Sequence, residues 1–284
     1  MGNALAIWTG KWDIWIGLFA GITASLLQII ANLANDYGDF LRGGGVGSRV
    51  NNAQEAIGES VNLKQLKVAI AWLVALTMGC GLILLHLADL TPYKFVHFAL
   101  LGAIAIAAAI TYTMGPKPYA YTGLGDISVF LFFGLAGVLG TAYLHTKTWN
   151  PAYVLPAITC GCFSVAVLNL NNIRDIFSDA QIDKKTLVVR VGRKIALYYQ
   201  WSLLLIGIIS SIIFTIQHYT SPVQWIFLVA APRLIQNGIL TMRRAPDQLD
   251  PLLQRLVIAQ LIFVLLFGIG LILSGGCLKC VICM

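Results

Sequence analysis

The sequence predicts an all-α fold, a polytopic transmembrane helical bundle of about eight full spans preceded by a truncated first helix. Three observations carry that prediction. Mean hydropathy is +0.80. Hydrophobic residues make up 58% of the 284 and charged residues only 11%. The apolar residues are gathered into runs of the ~20 residues a helix needs to cross ~30 Å of hydrocarbon. A soluble domain distributes charge along its helices, so uncharged runs of this length belong in lipid.

The elements follow in order. Residues 1–10, Met-Gly-Asn-Ala-Leu-Ala-Ile-Trp-Thr-Gly, are too short to span and lack the basic flank and apolar core of a signal peptide; they read as the remnant of a first helix. Full spans are expected at roughly 14–36, 67–90, 94–114, 124–144, 151–173, 195–217, 222–242 and 252–274. The stretch 37–66 is the one long polar connection and carries Gly43-Gly44-Gly45. Residues 115–123 are rich in Gly and Pro, which stop helices, and 174–194 is dense in charge. A tail occupies 275–284, and the whole of 1–284 reads as a single membrane domain.

Charge fixes the expected orientation. With loops assigned alternately, Lys11, Lys94, Lys147 and Lys279 fall on one side, Arg233 lies within a span, and every other lysine and arginine falls on the opposite side. By the positive-inside rule the richer side is cytoplasmic, so 37–66, 115–123 and 174–194 are expected to face the cytoplasm from the inner or plasma membrane. An intact span before residues 1–10 would return the N-terminus to that side. The basic excess, 19 Lys and Arg against 12 Asp and Glu, is therefore a topology signal, and no nucleic-acid partner is implied.

Five of those twelve acids sit in two clusters at cytoplasmic span ends: Asn32-Leu-Ala-Asn35-Asp36-Tyr-Gly-Asp39, and Asn171-Asn172-Ile-Arg174-Asp175 followed by Asp179 and Asp183. Carboxylates at the edge of hydrocarbon are costly to ionise without a partner. On a helix Asn32, Asp36 and Asp39 share a stripe, and Asn171, Asp175, Asp179 and Asp183 make a second at spacing four. Asn32 and Asp36 repeat in Asn171 and Asp175, a faint duplication that puts an active centre between two similar halves. Hard oxygen donors without His or Cys suit Mg²⁺, which completes its shell with phosphate oxygens. Lys184, Lys185 and Arg190 beside the second cluster, with Lys117, supply cations for a diphosphate.

Simpler readings stand beside these. One Asp beside Arg at a span end is commonly a solvated interfacial charge, and the basic group at 184–194 is equally explained by topology. Tyr119 and Tyr121 offer ring faces to a carbocation, yet Tyr at headgroup level is usual in membrane proteins. His86, His97, His145 and His218 lie toward the opposite span ends and are poor ligand candidates. Gly17 with Gly21, and Ala136 with Gly140, are expected to serve close helix packing. Among the cysteines, Cys277, Cys280 and Cys283 offer three thiols and no His where structural zinc takes four ligands.

At these residues the chain resembles the UbiA superfamily of intramembrane aromatic prenyltransferases, in particular the branch that prenylates 1,4-dihydroxy-2-naphthoate in menaquinone biosynthesis. The matching blocks are 32–39, Tyr112-Thr-Met-Gly115-Pro-Lys-Pro-Tyr119 with Gly123-Leu-Gly125-Asp126, and Leu168-Asn-Leu-Asn171-Asn172-Ile-Arg174-Asp175 running on to Thr186-Leu-Val-Val-Arg190-Val-Gly192. The resemblance implies two pseudo-repeated halves around a central cavity and Mg²⁺ as cofactor. It also implies transfer of a polyprenyl group from polyprenyl diphosphate to dihydroxynaphthoate, with decarboxylation to demethylmenaquinol. It makes Asn35, Asp36, Asp39, Asp175 and Asp179 metal ligands. The two acid pairs Asp36, Asp39 and Asp175, Asp179, with Lys117 and Tyr119, are the candidate catalytic residues. Asn32, Asn35, Asn171, Asn172, Arg174, Lys184, Lys185, Arg190 and Asp126 are candidates for binding substrate and diphosphate.

Departures from the family pattern are Gly43 in place of a third acid, Asp183 where Gly usually precedes the basic pair, the loop 46–54 without its Gly-Pro-x-Arg, and the missing start of the first helix. The expected partners are the two substrates and the lipid bilayer, with no protein partner indicated. Prenylation of 4-hydroxybenzoate and phytylation of dihydroxynaphthoate are alternatives within the same chemistry. A cation-coupled transporter explains the spans but not the bases beside the acids.

Overall fold

The computed structural model describes residues 1–42 and 63–275, apart from the Asp39 side chain. The Gly43 triplet, the loop 46–54 and the tail cysteines lie outside the described residues. Among the described residues all regular structure is helical, and eight helices are long and apolar enough to cross a membrane. This is a multi-pass membrane protein. The elements are α1 (Gly2–Trp8), α2 (Ile14–Leu41), α3 (Leu63–Leu87), α4 (Pro92–Thr111), α5 (Gly125–Thr146), α6 (Val154–Arg174), α7 (Ile176–Gln181), α8 (Leu187–Gln217), α9 (Ala231–Arg243) and α10 (Asp250–Ser274). A 3-10 turn at Tyr119–Thr122 precedes α5, and a longer one at Pro222–Ala230 completes the span that ends with α9.

Local chemistry sets the breaks. Pro92 begins α4 behind Thr91, where its missing N–H costs nothing. The turn at Pro222 opens on a capping box formed by Ser221 and Gln224. The stretch 174–194 differs most from expectation. It is largely helical: α6 stops at Arg174, α7 forms a short separate turn, and α8 starts at Leu187. Gly192, at φ 78 and ψ 160, breaks α8 just before residue 195, where the apolar run takes over. The second acid stripe is therefore not one continuous stripe. Asp175 sits at the C-cap of α6 and Asp183 has φ 55, so neither continues a helix through Asp179.

The chain divides into two compact units. Unit 1 is Met1–Gly17, Asp126–Asp175 and Val191–Met284, and unit 2 is Leu18–Gly125 and Ile176–Arg190. In unit 1 the core is built on α6. The middle of α5, Phe130–Gly140, winds as a π-helix, and its Gly134 lies so near Gly161 of α6 that a Cβ would come within 2.7 Å of the Gly161 Cα. Close packing is thus carried by Gly134 and Gly161. A Cβ on Gly17 would come within 2.9 Å of the Trp12 indole nitrogen, whereas one on Gly21 would meet nothing within 4 Å among the described residues, so of that expected pair only Gly17 is closely packed. Around α6 the rings of Phe163, Phe227, Phe263 and Phe267 pack edge-on or tilted at about 5 Å, a favourable aromatic geometry.

In unit 2, α3 packs on α4, and α4 buries none of its residues, as a helix bordering lipid does. The C-terminal turn of α2 is pinned instead. Fully buried Thr113 donates to the Ala34 carbonyl at 2.6 Å, and Gly38 abuts the Thr113 carbonyl with no room for a side chain.

Candidate active site

The first acid motif lies on the last turns of α2 in unit 2. Asn32 and Asp36 are exposed on one stripe, Asn35 is partly buried, and the Asn32 amide oxygen accepts from Gln28 at 3.2 Å. The end of this helix is tied to the Gly-Pro-rich stretch by Arg42, which donates to the carbonyls of Thr113 at 2.8 Å and Gly115 at 2.7 Å. The Arg42 guanidinium also lies over the Tyr121 ring, 4.7 Å from its centre, and the Lys184 ammonium stands 5.7 Å from the same ring. Tyr121 therefore engages two cations through its face. Tyr119 is held differently, since its hydroxyl donates to the Ala108 carbonyl at 2.9 Å and its ring meets Tyr112 edge-on at 5.3 Å.

The basic residues of unit 2 differ in setting. Lys184 is buried beside buried Asp179, with Nζ 3.6 Å from the carboxylate, and its backbone N–H donates to the Asp179 carbonyl at 2.9 Å. Arg190 donates to the Lys185 carbonyl at 3.0 Å and packs against Gly123, where φ 76 and the nearby guanidinium both favour glycine. Lys185 forms an exposed pair with Asp183 at 3.1 Å, a contact worth little in water. Lys117 is exposed on the surface.

In unit 1 the second motif is organised by Arg174. Its guanidinium grips Asp175 with two bonds of 2.6 and 2.5 Å, donates to the Asn171 amide oxygen at 2.7 Å and reaches Asp250 at the start of α10 at 2.7 Å. Arg174 is 9% exposed, Asp175 31% and Asp250 64%. Such a bidentate fork fixes the carboxylate plane as well as its charge. Asn172 is buried behind it. Asp126, in the first turn of α5, is buried with one carboxylate oxygen lacking any hydrogen-bond partner. That residue lines a cavity of about 240 Å³ together with Tyr199, Cys162 and Phe130.

A family model, the UbiA prenyltransferase family, matches residues 1–253. The chain belongs to that family. Among curated UbiA-family relatives, the 1,4-dihydroxy-2-naphthoate octaprenyltransferase of Escherichia coli (strain K12) is 43% identical over 96% of this chain and 89% of its own length. The Haemophilus influenzae protein of the same name is 36% identical over 96% and 90%, and that of Mycobacterium tuberculosis 34% over 93% and 87%. A solved chain from work on digeranylgeranylglyceryl phosphate synthase in membranes matches with TM-score 0.61 over 95% of this chain and 91% of its own, at 17% identity. That likeness shows a UbiA-type fold.

Within each unit the predicted residues gather to different degrees. Unit 2 draws Arg190 and Lys185 together and sets Lys184 against Asp179; unit 1 draws Asn171, Arg174 and Asp175 into one network. Among the described residues no three of Asp, Glu, His or Cys assemble as a metal cage. Sequence reasoning did not select Arg42, Asp250 or Tyr199, and did not prefer Tyr121 to Tyr119. Arg42 had one available signal, its place three residues after Asp39, one residue past the end of the same helix.

Proposed function

We propose that this chain transfers a polyprenyl group, eight isoprene units long as in its relatives' names, from the diphosphate to 1,4-dihydroxy-2-naphthoate. The carbon–oxygen bond to diphosphate breaks, a bond from the prenyl carbon to the naphthoate ring forms, and the ring carboxylate leaves as CO₂, giving demethylmenaquinol and diphosphate. The observation that carries this reading is the 43% identity to the E. coli octaprenyltransferase over 96% of the chain. The basic loops support a reaction at the cytoplasmic face of the inner membrane.

Mg²⁺ fits the donors: two acid motifs offer hard carboxylate and amide oxygens, and in the second Asp175 and Asp179 stand beside cations as diphosphate requires. The family resemblance names Asn35, Asp36, Asp39, Asp175 and Asp179 as its ligands, and when bound it supplies positive charge at the departing diphosphate. The chain's own residues do the rest. Arg174 orients Asp175, Lys184 pairs with Asp179, and both add positive charge near phosphate oxygens. Tyr121, already carrying cations on its ring face, offers that π-surface to an allylic cation. Asp126 offers its unpartnered carboxylate oxygen to a hydroxyl of the acceptor. A site within a membrane bundle keeps water from the cation and gives the prenyl tail an apolar path.

The test is a membrane assay with radiolabelled octaprenyl diphosphate, Mg²⁺, and either 1,4-dihydroxy-2-naphthoate or 4-hydroxybenzoate. Release of CO₂ with labelled demethylmenaquinol is expected from the first acceptor. A product formed only from 4-hydroxybenzoate would replace the proposal with the sibling activity.

A further inference from the structure

Unit 1 holds a cleft of about 310 Å³ between α9 and α10. Its walls carry Arg233, Gln236 and Leu240 from one helix and Arg255 and Ile258 from the other, and Asn237 closes its floor by donating to the Leu252 carbonyl at 2.7 Å. None of these residues belongs to the acid motifs or to the Asp126 cavity. Both arginines are exposed, and among the described residues neither has a carboxylate partner or a side-chain hydrogen bond.

Their depth makes the feature unusual. Arg233 lies ten residues before Arg243 at the basic end of α9, and Arg255 five residues after the start of α10. At 1.5 Å per residue these positions are about 15 and about 8 Å along their helices from the basic face. Guanidinium groups at hydrocarbon depth are costly unless an anion or water meets them. They converge on one cleft whose walls also carry apolar Leu240 and Ile258. An occupant must therefore carry negative charge at one end and hydrocarbon at the other.

We infer that the Arg233–Arg255 cleft binds the phosphate headgroup of an anionic membrane phospholipid, with an acyl chain along Leu240 and Ile258 and Gln236 available to the headgroup hydroxyls. The two guanidinium groups offer several N–H donors to phosphate oxygens, which suits a phosphodiester better than a single ammonium would. Basic pockets between spans on the cytoplasmic side are sites where anionic headgroups collect.

The experiment measures retention of phosphatidylglycerol by the purified full chain in neutral detergent, by native mass spectrometry across a titration. The Arg233→Gln, Arg255→Gln double variant is compared with the parent and with a Lys67→Gln, Lys194→Gln variant that loses the same charge elsewhere on the basic side. Each arginine is expected to strengthen binding about fivefold, so the double variant should bind about 25-fold more weakly while the lysine variant stays near the parent. Should the double variant fail to fold, the two single variants carry the same comparison at about fivefold each. Equal retention by parent and arginine variants overturns the inference, as does an equal loss in the lysine variant, which would mark a general charge effect. Retention of phosphatidylcholine as tight as phosphatidylglycerol removes the anionic selectivity. Displacement by farnesyl diphosphate but not by phosphatidylglycerol reassigns the cleft to prenyl donor.

Discussion

Asp175→Asn separates a site carboxylate from a structural one. The Arg174 guanidinium donates to both Asp175 oxygens, at 2.6 and 2.5 Å; the amide keeps one acceptor, turns the other into a donor facing a donor, and removes the charge. A hydrogen bond between charged groups contributes about 1.5–3 kcal/mol, and with Asp175 partly exposed the expected loss of stability is about 2 kcal/mol. If Asp175 stabilises charge in the reaction, turnover falls by about 10²–10³ as well. Asp250→Asn is the matched control: Asp250 bonds the same guanidinium at 2.7 Å but is 64% exposed. Its replacement should cost under about 1 kcal/mol and leave turnover near the parent's. The assay is demethylmenaquinol formation at limiting Mg²⁺ in membranes matched for protein level, with thermal unfolding of purified protein run in parallel. Turnover within about threefold of the parent for Asp175→Asn would remove the carboxylate from the reaction, since electrostatic groups aimed at developing charge are worth far more. Equal losses in both variants would show that orienting Arg174 is all that Asp175 does.

Tyr121→Phe should keep activity, since the ring face meets the cations, whereas Tyr121→Leu should lower it by about tenfold, read as initial rate. Asp183→Gly should change thermal stability by no more than about 1 kcal/mol and leave turnover intact, because its φ of 55 is a conformation glycine adopts freely and its pair with Lys185 is exposed. Gly38→Ala should cost about 1–3 kcal/mol or more by driving a methyl into the Thr113 carbonyl, seen as a lower unfolding temperature. His218, just past the end of α8, has its pKa lowered by burial; the unfolded chain then takes up the proton more readily, so stability present above the ordinary value of 6.5 is lost as pH falls below it. Unfolding temperature measured across that range should drop on the acid side for the parent and less for His218→Phe.

The spans were legible because hydrocarbon imposes a length and a composition on every one of them, and all eight appear within a few residues of the expected places except the start of α8. What composition cannot express is a change of backbone direction. The breaks at Asp175 and Gly192 and the φ of 55 at Asp183 interrupt what pattern alone reads as a stripe followed by a loop. Asp183 stands where the family pattern has glycine, and its backbone gives that preference a cause. Side-chain partners were the other blind spot. Arg42 joins Thr113 and Gly115 from 71 and 73 residues away, and Asp250 joins Arg174 across 76, separations at which periodicity carries no signal. Tyr119 and Tyr121 are the same residue type two positions apart, and only the 3-10 turn at Tyr119–Thr122 assigns one to an anchoring hydroxyl and the other to a cation-bearing face.

The wide winding of Phe130–Gly140 makes residue count itself a determinant of aim. A π-helix spreads its residues over a larger turn than the 3.6 of an α-helix. The two ends of α5 consequently stand in an angular phase that a uniform helix of the same length lacks. Deleting one residue between 130 and 140 would let the segment tighten toward α geometry. Such a change swings Asp126 by about 100° relative to Ala142 and His145 and carries its unpartnered oxygen off the cavity it now lines. A deletion that touches no candidate residue can thus take one out of its cavity, and relatives with the same motifs but a span one residue shorter would point this carboxylate elsewhere.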